Sequence, residues 1–229
     1  MNIDYFIDAF ESRFPPAEHG SVSTAHADPS NRQSLDPCPD VPGMMSLKKQ
    51  SLLNIAFNCL EENEAYLEIG TYLGKSLISA MLSSIDRQAY ACDNFSQFAA
   101  RNSRDILENN LQRYGLSEKI MFFDSDFRNI VTPDCIEAPV GLYFYDGAHD
   151  LESHILAIEL AEPLLASSAL VIVDDWRFAD DSKSRAEEGT RMAIMRSGRK
   201  WSELYCLPAR FNGDHAMWWN GVGVFASHA

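Results

Sequence analysis

The stretch that decides the fold is Glu64-Ala-Tyr-Leu-Glu-Ile-Gly-Thr-Tyr-Leu-Gly74, which runs into Lys75-Ser-Leu-Ile-Ser-Ala-Met81. A short apolar run ends at Glu68-Ile69-Gly70, and a second glycine follows four residues later. This order predicts a strand, a tight turn and a helix. The strand would bring one carboxylate and a bare backbone to the carboxyl edge of a sheet, where open α/β sheets bind small ligands. We therefore interpret it as the first strand of a nucleotide-type fold.

Length and composition fit one α/β domain. The chain has 229 residues, of which 46% are hydrophobic, and this is enough for one substantial core. Its formal net charge is -14 and its pI is about 4.7. An acidic surface repels phosphate backbones, so we expect no nucleic-acid partner. Solubility is the simpler explanation for most of these charges.

The cysteines and the apolar runs predict a cytoplasmic protein. Five cysteines are present, an odd number, and no two have the spacing of a metal finger, so we expect reduced thiols. Residues 1–10 lack the basic start and apolar core of a signal peptide. No apolar run approaches the ~20 residues that span a bilayer. We expect no membrane partner and leave a homo-oligomer open. The cysteines are Cys38, Cys59, Cys92, Cys135 and Cys206.

Beyond the opening stretch, predicted strands and helices alternate. Residues 1–43 form an N-terminal region, with a helix over 4–13 and a breaker-rich segment over 14–43 that is either a disordered tail or a lid. The domain proper is expected over 44–229. Repeated β-α units imply a parallel sheet covered by helices on both faces, and the last two strands indicate an antiparallel edge. Strands are predicted at 65–69, 88–92, 119–123, 140–145, 169–173, 201–207 and 221–226, and helices at 46–60, 75–85, 102–114, 151–165 and 182–197.

Polar residues follow each of the first five predicted strands. A single acid after a strand is usually a turn former or a helix cap. Because the carboxyl ends of parallel strands share one rim, five such ends in succession favour a ligand site. The residues are Glu68 and Gly70, then Asp93, then Ser125 and Asp126, then Asp146, and finally Asp174 and Asp175.

The spacing around Asp93 indicates an adenosine ligand. Asp93 lies 23 residues after Gly70, and an acid about 20 residues beyond a glycine turn can bind the hydroxyls of a ribose. A pyrophosphate would need a glycine where the chain has Tyr72, which argues against a dinucleotide and a NAD-dependent dehydrogenase. A nucleoside without phosphate fits better, and Glu68 could bind its cationic amino group. S-adenosylmethionine has this composition.

At these residues the chain resembles the S-adenosylmethionine-dependent methyltransferases of the seven-stranded Rossmann-like type. The resemblance runs from about Pro42 to the carboxyl end and rests on Tyr66–Ser76, Asp93, Tyr145–His149 and Val171–Trp176. It is closest to metal-dependent small-molecule O-methyltransferases of the catechol and macrolide-sugar types. The resemblance implies a Rossmann-like three-layer sandwich with a mostly parallel seven-stranded sheet and an antiparallel last strand. Together with the strand ends it implies cofactor contacts at Glu68, Gly70, Thr71, Tyr72, Ser76, Asp93, Ser125, Asp126 and Asp146.

The fourth and fifth strand ends predict a metal site. Asp146, Asp174 and Asp175 should converge, and a divalent cation would relieve the repulsion among them. An all-oxygen ligand set favours Mg²⁺ or a similar hard ion. The alternative is that Asp175 caps the next helix and no metal binds. The catechol-type family has an Asn where this chain has Asp175.

His149 is the candidate general base, three residues after Asp146. Histidine side chains have an ordinary pKa near neutrality, which suits a general base. The catechol-type family has a lysine base at this spacing. The alternative is that His149 only caps the helix over 151–165 or hydrogen-bonds an acid. In the expected reaction a metal at Asp146 lowers the pKa of an acceptor hydroxyl, His149 takes its proton, and the oxygen attacks the methyl group in line.

Aromatic and methionine residues are candidates for the walls of the pocket. Trp176, Trp218 and Trp219 either flank a small-molecule acceptor or pack in the core, and Met44 and Met45 either line the cofactor pocket or fill the core. Two other functions remain open. One is a metal-independent methyltransferase acting on nitrogen or oxygen, and the other is a binding module that senses the cofactor without chemistry.

Overall fold

One seven-stranded sheet forms the centre of the molecule in a computed structural model that describes residues 1–22, 35–82, 86–98, 102–176 and 183–229. Its strand order is β3-β2-β1-β4-β5-β7-β6. Neighbouring strands are parallel except at β7, which is antiparallel to both β5 and β6. This confirms the predicted sheet with its antiparallel last strand. The strands are β1 (Ala65–Ile69), β2 (Ala89–Asp93), β3 (Ile120–Asp124), β4 (Val140–Tyr145), β5 (Leu165–Asp174), β6 (Lys200–Leu207) and β7 (Val222–His228).

Helices cover both faces of the sheet and complete a three-layer sandwich. The first four pack in one apolar cluster with alternate strand residues such as Tyr66, and the last three pack in a second cluster with the intervening residues such as Leu67. Within the described ranges, no helix is both long enough and apolar enough to cross a bilayer. The helices are α1 (Ile3–Arg13), α2 (Leu47–Phe57), α3 (Lys75–Met81), α4 (Ser103–Arg113), α5 (Phe127–Ile130), α6 (Leu151–Ala161) and α7 (Ala186–Arg196).

Helix boundaries follow local capping chemistry. The Ser46 side chain accepts a hydrogen bond from the Lys49 backbone, as the predicted cap of α2 should. Gly115 has a φ of +68° just after α4, which confirms the predicted stop there. Asp150 caps α6 through the Ser153 backbone N–H at 2.9 Å, so the cap of this helix is Asp150 and not His149.

Two of the boundaries that differ from the prediction have one cause. α6 ends at Ala161 because Pro163 lies in the 3₁₀ turn Glu162–Leu164 and cannot donate the next helical hydrogen bond. β5 consequently begins at Leu165, four residues before its predicted start. The short helix α5 was not predicted. The predicted helices over 75–85 and 182–197 each extend partly outside the described residues.

The N-terminal region packs on the same core as α2. α1 buries Phe6 and Phe10. The Lys48 Nζ donates to the carbonyl oxygens of Glu18 and Ser21 at 3.1 and 2.9 Å. Residues 23–34 of the predicted lid or tail lie outside the described residues, and the function of segment 14–43 stays a prediction.

Candidate active site

The carboxyl ends of β1 to β5 open onto a cavity of about 620 Å³. Nearly all of the predicted site residues line this cavity, and Glu68 is the exception. Met44 and Met45 also line it, and Met45 packs in the core as well. The predicted residues that line it are Gly70, Thr71, Tyr72, Ser76, Asp93, Ser125, Asp126, Asp146, His149, Asp174 and Asp175.

The turn after β1 brings two strand ends into contact. Gly70 has a φ of +89°, and a Cβ atom there would lie 1.9 Å from the backbone oxygen of Asp146. The Asp146 N–H donates to the carbonyl oxygen of Ile69 at 2.9 Å, so β1 and β4 stay paired up to this point. Only glycine fits both the backbone conformation and the contact. The turn also holds Tyr72 in the left-handed region, with a φ of +48°.

Asp93 is fixed at the end of β2 by two backbone groups. Its Oδ2 accepts from the Tyr72 N–H and its Oδ1 accepts from the Phe95 N–H, both at 2.7 Å. Burial raises the pKa of Asp93, and these two hydrogen bonds oppose the shift. The carboxylate is thus oriented before any ligand arrives. Its remaining lone pairs can accept from ribose hydroxyls.

Glu68 lies beneath the cavity. Successive residues of a strand point to opposite faces, and Glu68 points, like Tyr66, toward the α1–α4 side. The Tyr66 hydroxyl donates to Glu68, and the Ser76 hydroxyl donates to it at 2.7 Å. Burial raises the pKa of Glu68 to about 7. The geometry therefore favours contact with a ligand through Ser76 and not through Glu68 itself.

Asp146, Asp174 and Asp175 come together as predicted, with a lysine among them. Lys49 from α2 is fully buried, and its Nζ lies 2.5 and 2.6 Å from the two carboxylate oxygens of Asp174. The backbone N–H of Asp175 also donates to Asp174, at 2.7 Å. Burial raises the pKa of Asp146 well above its usual range, and the charges of Asp174 and Asp175 raise it further.

Asp175 joins His149 to the C-terminal loop. Its Oδ2 lies 3.1 Å from the His149 Nε2, and its Oδ1 accepts from the Asn220 side chain at 2.7 Å. Asp175 itself has a φ of +53°, a strained conformation of the kind found at functional sites. Burial, followed by the charge of Asp174, raises the pKa of Asp175 to about 6. His149 is partly exposed to the cavity and thus faces both a ligand and a carboxylate.

The donor set does not fit a divalent cation. In the ranges that the structure describes, no group of three His, Cys, Asp or Glu side chains is arranged to hold a metal ion. Both oxygens of Asp174 contact Lys49, and both oxygens of Asp175 face donors of the chain. Metal binding at Asp146, Asp174 and Asp175 therefore stays a prediction from sequence.

Sequence reasoning missed Lys49 and Asn220. Lys49 carried a usable signal, because it lies three, four and seven residues before Leu52, Leu53 and Ala56 on the apolar face of α2. A charged residue on a buried face needs a partner, and an acid at a strand end is an obvious one. Asn220 lies in a loop and gave no comparable signal.

The three tryptophans differ in position. Trp219 lines the cavity, which is the first of the two alternatives for these rings. Trp218 follows the second alternative, because it is fully buried and donates from its Nε1 to the His19 carbonyl at 2.7 Å. Trp176 follows it as well, because it is 2% exposed and packs against Phe225. Both rings belong to the core.

Comparisons with known proteins agree with this fold. Residues 67–176 match the family model described as "Methyltransferase domain", and this match runs from the strand before the glycine turn to Trp176. No curated protein matches the chain.

Solved structures of similar fold include three methyltransferases. The O-methyltransferase TomG from Streptomyces achromogenes, involved in tomaymycin synthesis and solved with S-adenosylmethionine, is 16% identical, with a TM-score of 0.59 and coverage of 100% of this chain and 99% of that one. The O-methyltransferase from Bacillus cereus, solved with S-adenosylhomocysteine, is 15% identical, with a TM-score of 0.55 and coverage of 100% and 90%. The methyltransferase PaMTH1 from Podospora anserina is 14% identical, with a TM-score of 0.58 and coverage of 97% and 94%.

At these identities the structural likeness shows the fold, whereas the family match gives the reaction class. The matched residues contain both the glycine turn and the carboxyl ends of β2 to β5 that line the cavity. Residues 67–176 are thus those of a methyltransferase domain, and they lie in a seven-stranded Rossmann-like fold.

Proposed function

We propose that the enzyme transfers the methyl group of S-adenosylmethionine to a hydroxyl group of a small molecule. The observation that carries this proposal is the contact between His149 and Asp175 at the cavity, at 3.1 Å. A hydroxyl group must lose a proton when its oxygen is methylated, and an imidazole beside a carboxylate is suited to take it. TomG and the Bacillus cereus protein, which share the fold, are both O-methyltransferases.

The cofactor would lie along the ends of β1, β2 and β3. Asp93 would accept hydrogen bonds from the ribose hydroxyls, since its carboxylate is already oriented by Tyr72 and Phe95. Ser125 and Asp126 would contact the adenine, and the turn at Gly70 would approach the amino-acid part, with Ser76 held by Glu68. When bound, S-adenosylmethionine supplies an electrophilic methyl group on a sulfonium ion.

The acceptor would enter beside β4 and β5, between His149, Trp219 and the two methionines. His149 would take the hydroxyl proton. Bound S-adenosylmethionine would supply the methyl group, with cleavage of its sulfur–methyl bond, and would leave as S-adenosylhomocysteine. Asp175 stabilises the resulting imidazolium, and Asn220 keeps Asp175 in place. Alignment of the reacting atoms supplies most of the rate.

Magnesium dependence remains a separate prediction from the sequence. The carboxylates of Asp174 and Asp175 contact Lys49, His149 and Asn220, so no step of this mechanism is routed through a metal. Turnover measured with and without EDTA distinguishes a magnesium-dependent reaction from a metal-independent one.

The experiment is an acceptor screen with phenols, catechols and sugar hydroxyls, with product mass measured after incubation with S-adenosylmethionine. His149→Gln should lower kcat by about 10²- to 10⁴-fold and leave cofactor affinity unchanged. His228→Gln is the control, because this histidine lies at the far end of β7 against Ser168. Products methylated only at nitrogen, or equal turnover by His149→Gln, would contradict the proposal. Cofactor binding without turnover on any acceptor would favour a binding module.

A further inference from the structure

We propose that the Lys49 ammonium group takes the place of a divalent cation at the carboxylate cluster, defined as Asp146, Asp174 and Asp175. Methyl transfer would then need no metal. For the reaction itself this inference rests on the proposed function, whereas its claim about metal binding stands on the cluster alone.

The geometry gives Lys49 a bidentate contact that would otherwise be open to a cation. Its Nζ lies 2.5 and 2.6 Å from the two Asp174 oxygens. The ammonium is fully buried and the carboxylate is 2% exposed. A metal ion at Asp174 would have to displace a buried ion pair, and breaking such a pair is costly because it leaves a charge without a partner.

Asp175, a second predicted ligand, is engaged as well. Asp175 faces Asn220 on one oxygen and His149 on the other. Asn220 is itself held, because its side-chain oxygen accepts from the Gly213 N–H at 2.7 Å. Two of the three predicted ligands therefore have donors supplied by the chain.

Charge also disfavours a metal beside Lys49. The ammonium group already supplies the positive charge that three clustered carboxylates require. A divalent cation bound to the same carboxylates would lie within a few ångströms of that ammonium in a buried site, where repulsion between like charges is strong. Lys49 would thus both neutralise the cluster and exclude the ion.

The neighbouring lysine provides a matched control. Lys48 is also buried, but its Nζ donates to the backbone oxygens of Glu18 and Ser21 and lies 5.3 Å from the Trp218 ring. Replacing Lys48 removes a buried ammonium from the same helix without touching the cluster.

The test is Mn²⁺ binding. It is measured by calorimetry and by the loss of the electron paramagnetic resonance signal of free Mn²⁺. Wild-type protein and Lys48→Met should bind no Mn²⁺ at the cluster, and wild-type turnover should be unchanged in EDTA. Lys49→Met, which frees Asp174, should bind Mn²⁺ at least about 100-fold more tightly than wild type. If circular dichroism shows that Lys49→Met does not fold, the same measurement is made on Lys49→Gln.

Stoichiometric Mn²⁺ binding by the wild type would overturn the inference, and so would EDTA-sensitive turnover. Equal Mn²⁺ affinity in wild type and a folded Lys49 variant would overturn it as well. The Mn²⁺ results do not depend on the proposed function, because they are measured without an acceptor, whereas the EDTA result does. If no acceptor is methylated but the Mn²⁺ results are as expected, the proposal of O-methylation is contradicted. The inference that Lys49 excludes a metal ion is then still supported.

Discussion

The two halves of the cavity are built in different ways. The cofactor half, defined as residues 68–76 and Asp93, is held by a backbone turn and by backbone N–H groups that donate to one carboxylate. The acceptor half, defined as Lys49, Asp146, His149, Asp174, Asp175 and Asn220, is held by charged and polar side chains from distant parts of the chain. Backbone geometry fixes the first, and compensation of buried charge fixes the second. The two halves should therefore respond to different substitutions.

Gly70→Ala should have the largest effect, because it acts where the halves meet. The new Cβ would lie 1.9 Å from the Asp146 backbone oxygen, so β1 and β4 would have to separate. We expect a loss of at least about 3 kcal/mol in the free energy of unfolding, measured by urea denaturation. Gly115→Ala is the matched control, since its φ is +68° and a Cβ there meets nothing within 4 Å. Backbone strain alone should cost Gly115→Ala about 1–2 kcal/mol, and an equal loss in both variants would contradict the strand-contact explanation.

Glu68→Gln should change how the free energy of unfolding depends on pH. The change should be no larger than the effect of Gly70→Ala. The pKa of Glu68 is about 7 in the folded protein against 4.5 as its usual value. The folded state therefore holds a proton that the unfolded state has lost between these two values, and stability falls as pH rises through this window. Removing the carboxyl should reduce that fall by on the order of 3 kcal/mol.

The measurement is urea denaturation from pH 4.5 to pH 8. Glu108→Gln is the control, because Glu108 is exposed and pairs with Arg104. A pH dependence that is the same in Glu68→Gln and wild type would show that the buried acid of the cofactor half does not titrate as expected.

Asp93→Ala should weaken S-adenosylmethionine binding by about 10- to 100-fold, since hydrogen bonds to a charged group contribute about 1.5–3 kcal/mol. Calorimetric titration measures the change in Kd. The control is Asp124→Ala, because Asp124 pairs with Asp93 in the register of β2 and β3 but is exposed and bound to Arg104. If both variants bind the cofactor equally well, Asp93 is not its ribose ligand.

Asn220→Ala should have the smallest effect and should confine it to the acceptor half. It removes one hydrogen bond to Asp175, worth about 1 kcal/mol, so kcat should fall by about 5-fold with cofactor Kd unchanged. Steady-state kinetics with any accepted hydroxyl substrate gives the value. Exposed Asn129→Ala serves as the control. A change in cofactor Kd without a change in kcat would show that the two halves are not separate.

The fold was predictable because its signals are local. Apolar runs that end at or next to Ile69, Tyr145 and Asp174 predicted the strands, and periodic segments between them predicted the helices. Pro163 explains why β5 begins four residues earlier than predicted, and its effect on a helix could have been read from the sequence.

The site was predictable only in part. Its cofactor half is built from residues near each other in sequence, whereas its acceptor half is built from residues far apart. The turn at Gly70 and the acid at Asp93 lie near each other in sequence, and a spacing rule brought them together. The contacts of Asp174 and Asp175 involve Lys49, 125 residues earlier than Asp174, and Asn220, 45 residues later than Asp175. A residue spacing in one sequence does not predict contacts between residues so far apart. Only the folded structure shows that these carboxylates already have partners within the chain.

The two adjacent lysines of α2 also have a consequence for how the chain folds. Lys48 needs the carbonyl oxygens of Glu18 and Ser21, and Lys49 needs Asp174, which reaches its place only when β5 is in the sheet. An ammonium group buried before its partner arrives would be strongly unfavourable, so α2 should dock late. Apolar truncations in α2, such as Leu53→Ala, should speed unfolding with little effect on the folding rate, which corresponds to φ-values near zero.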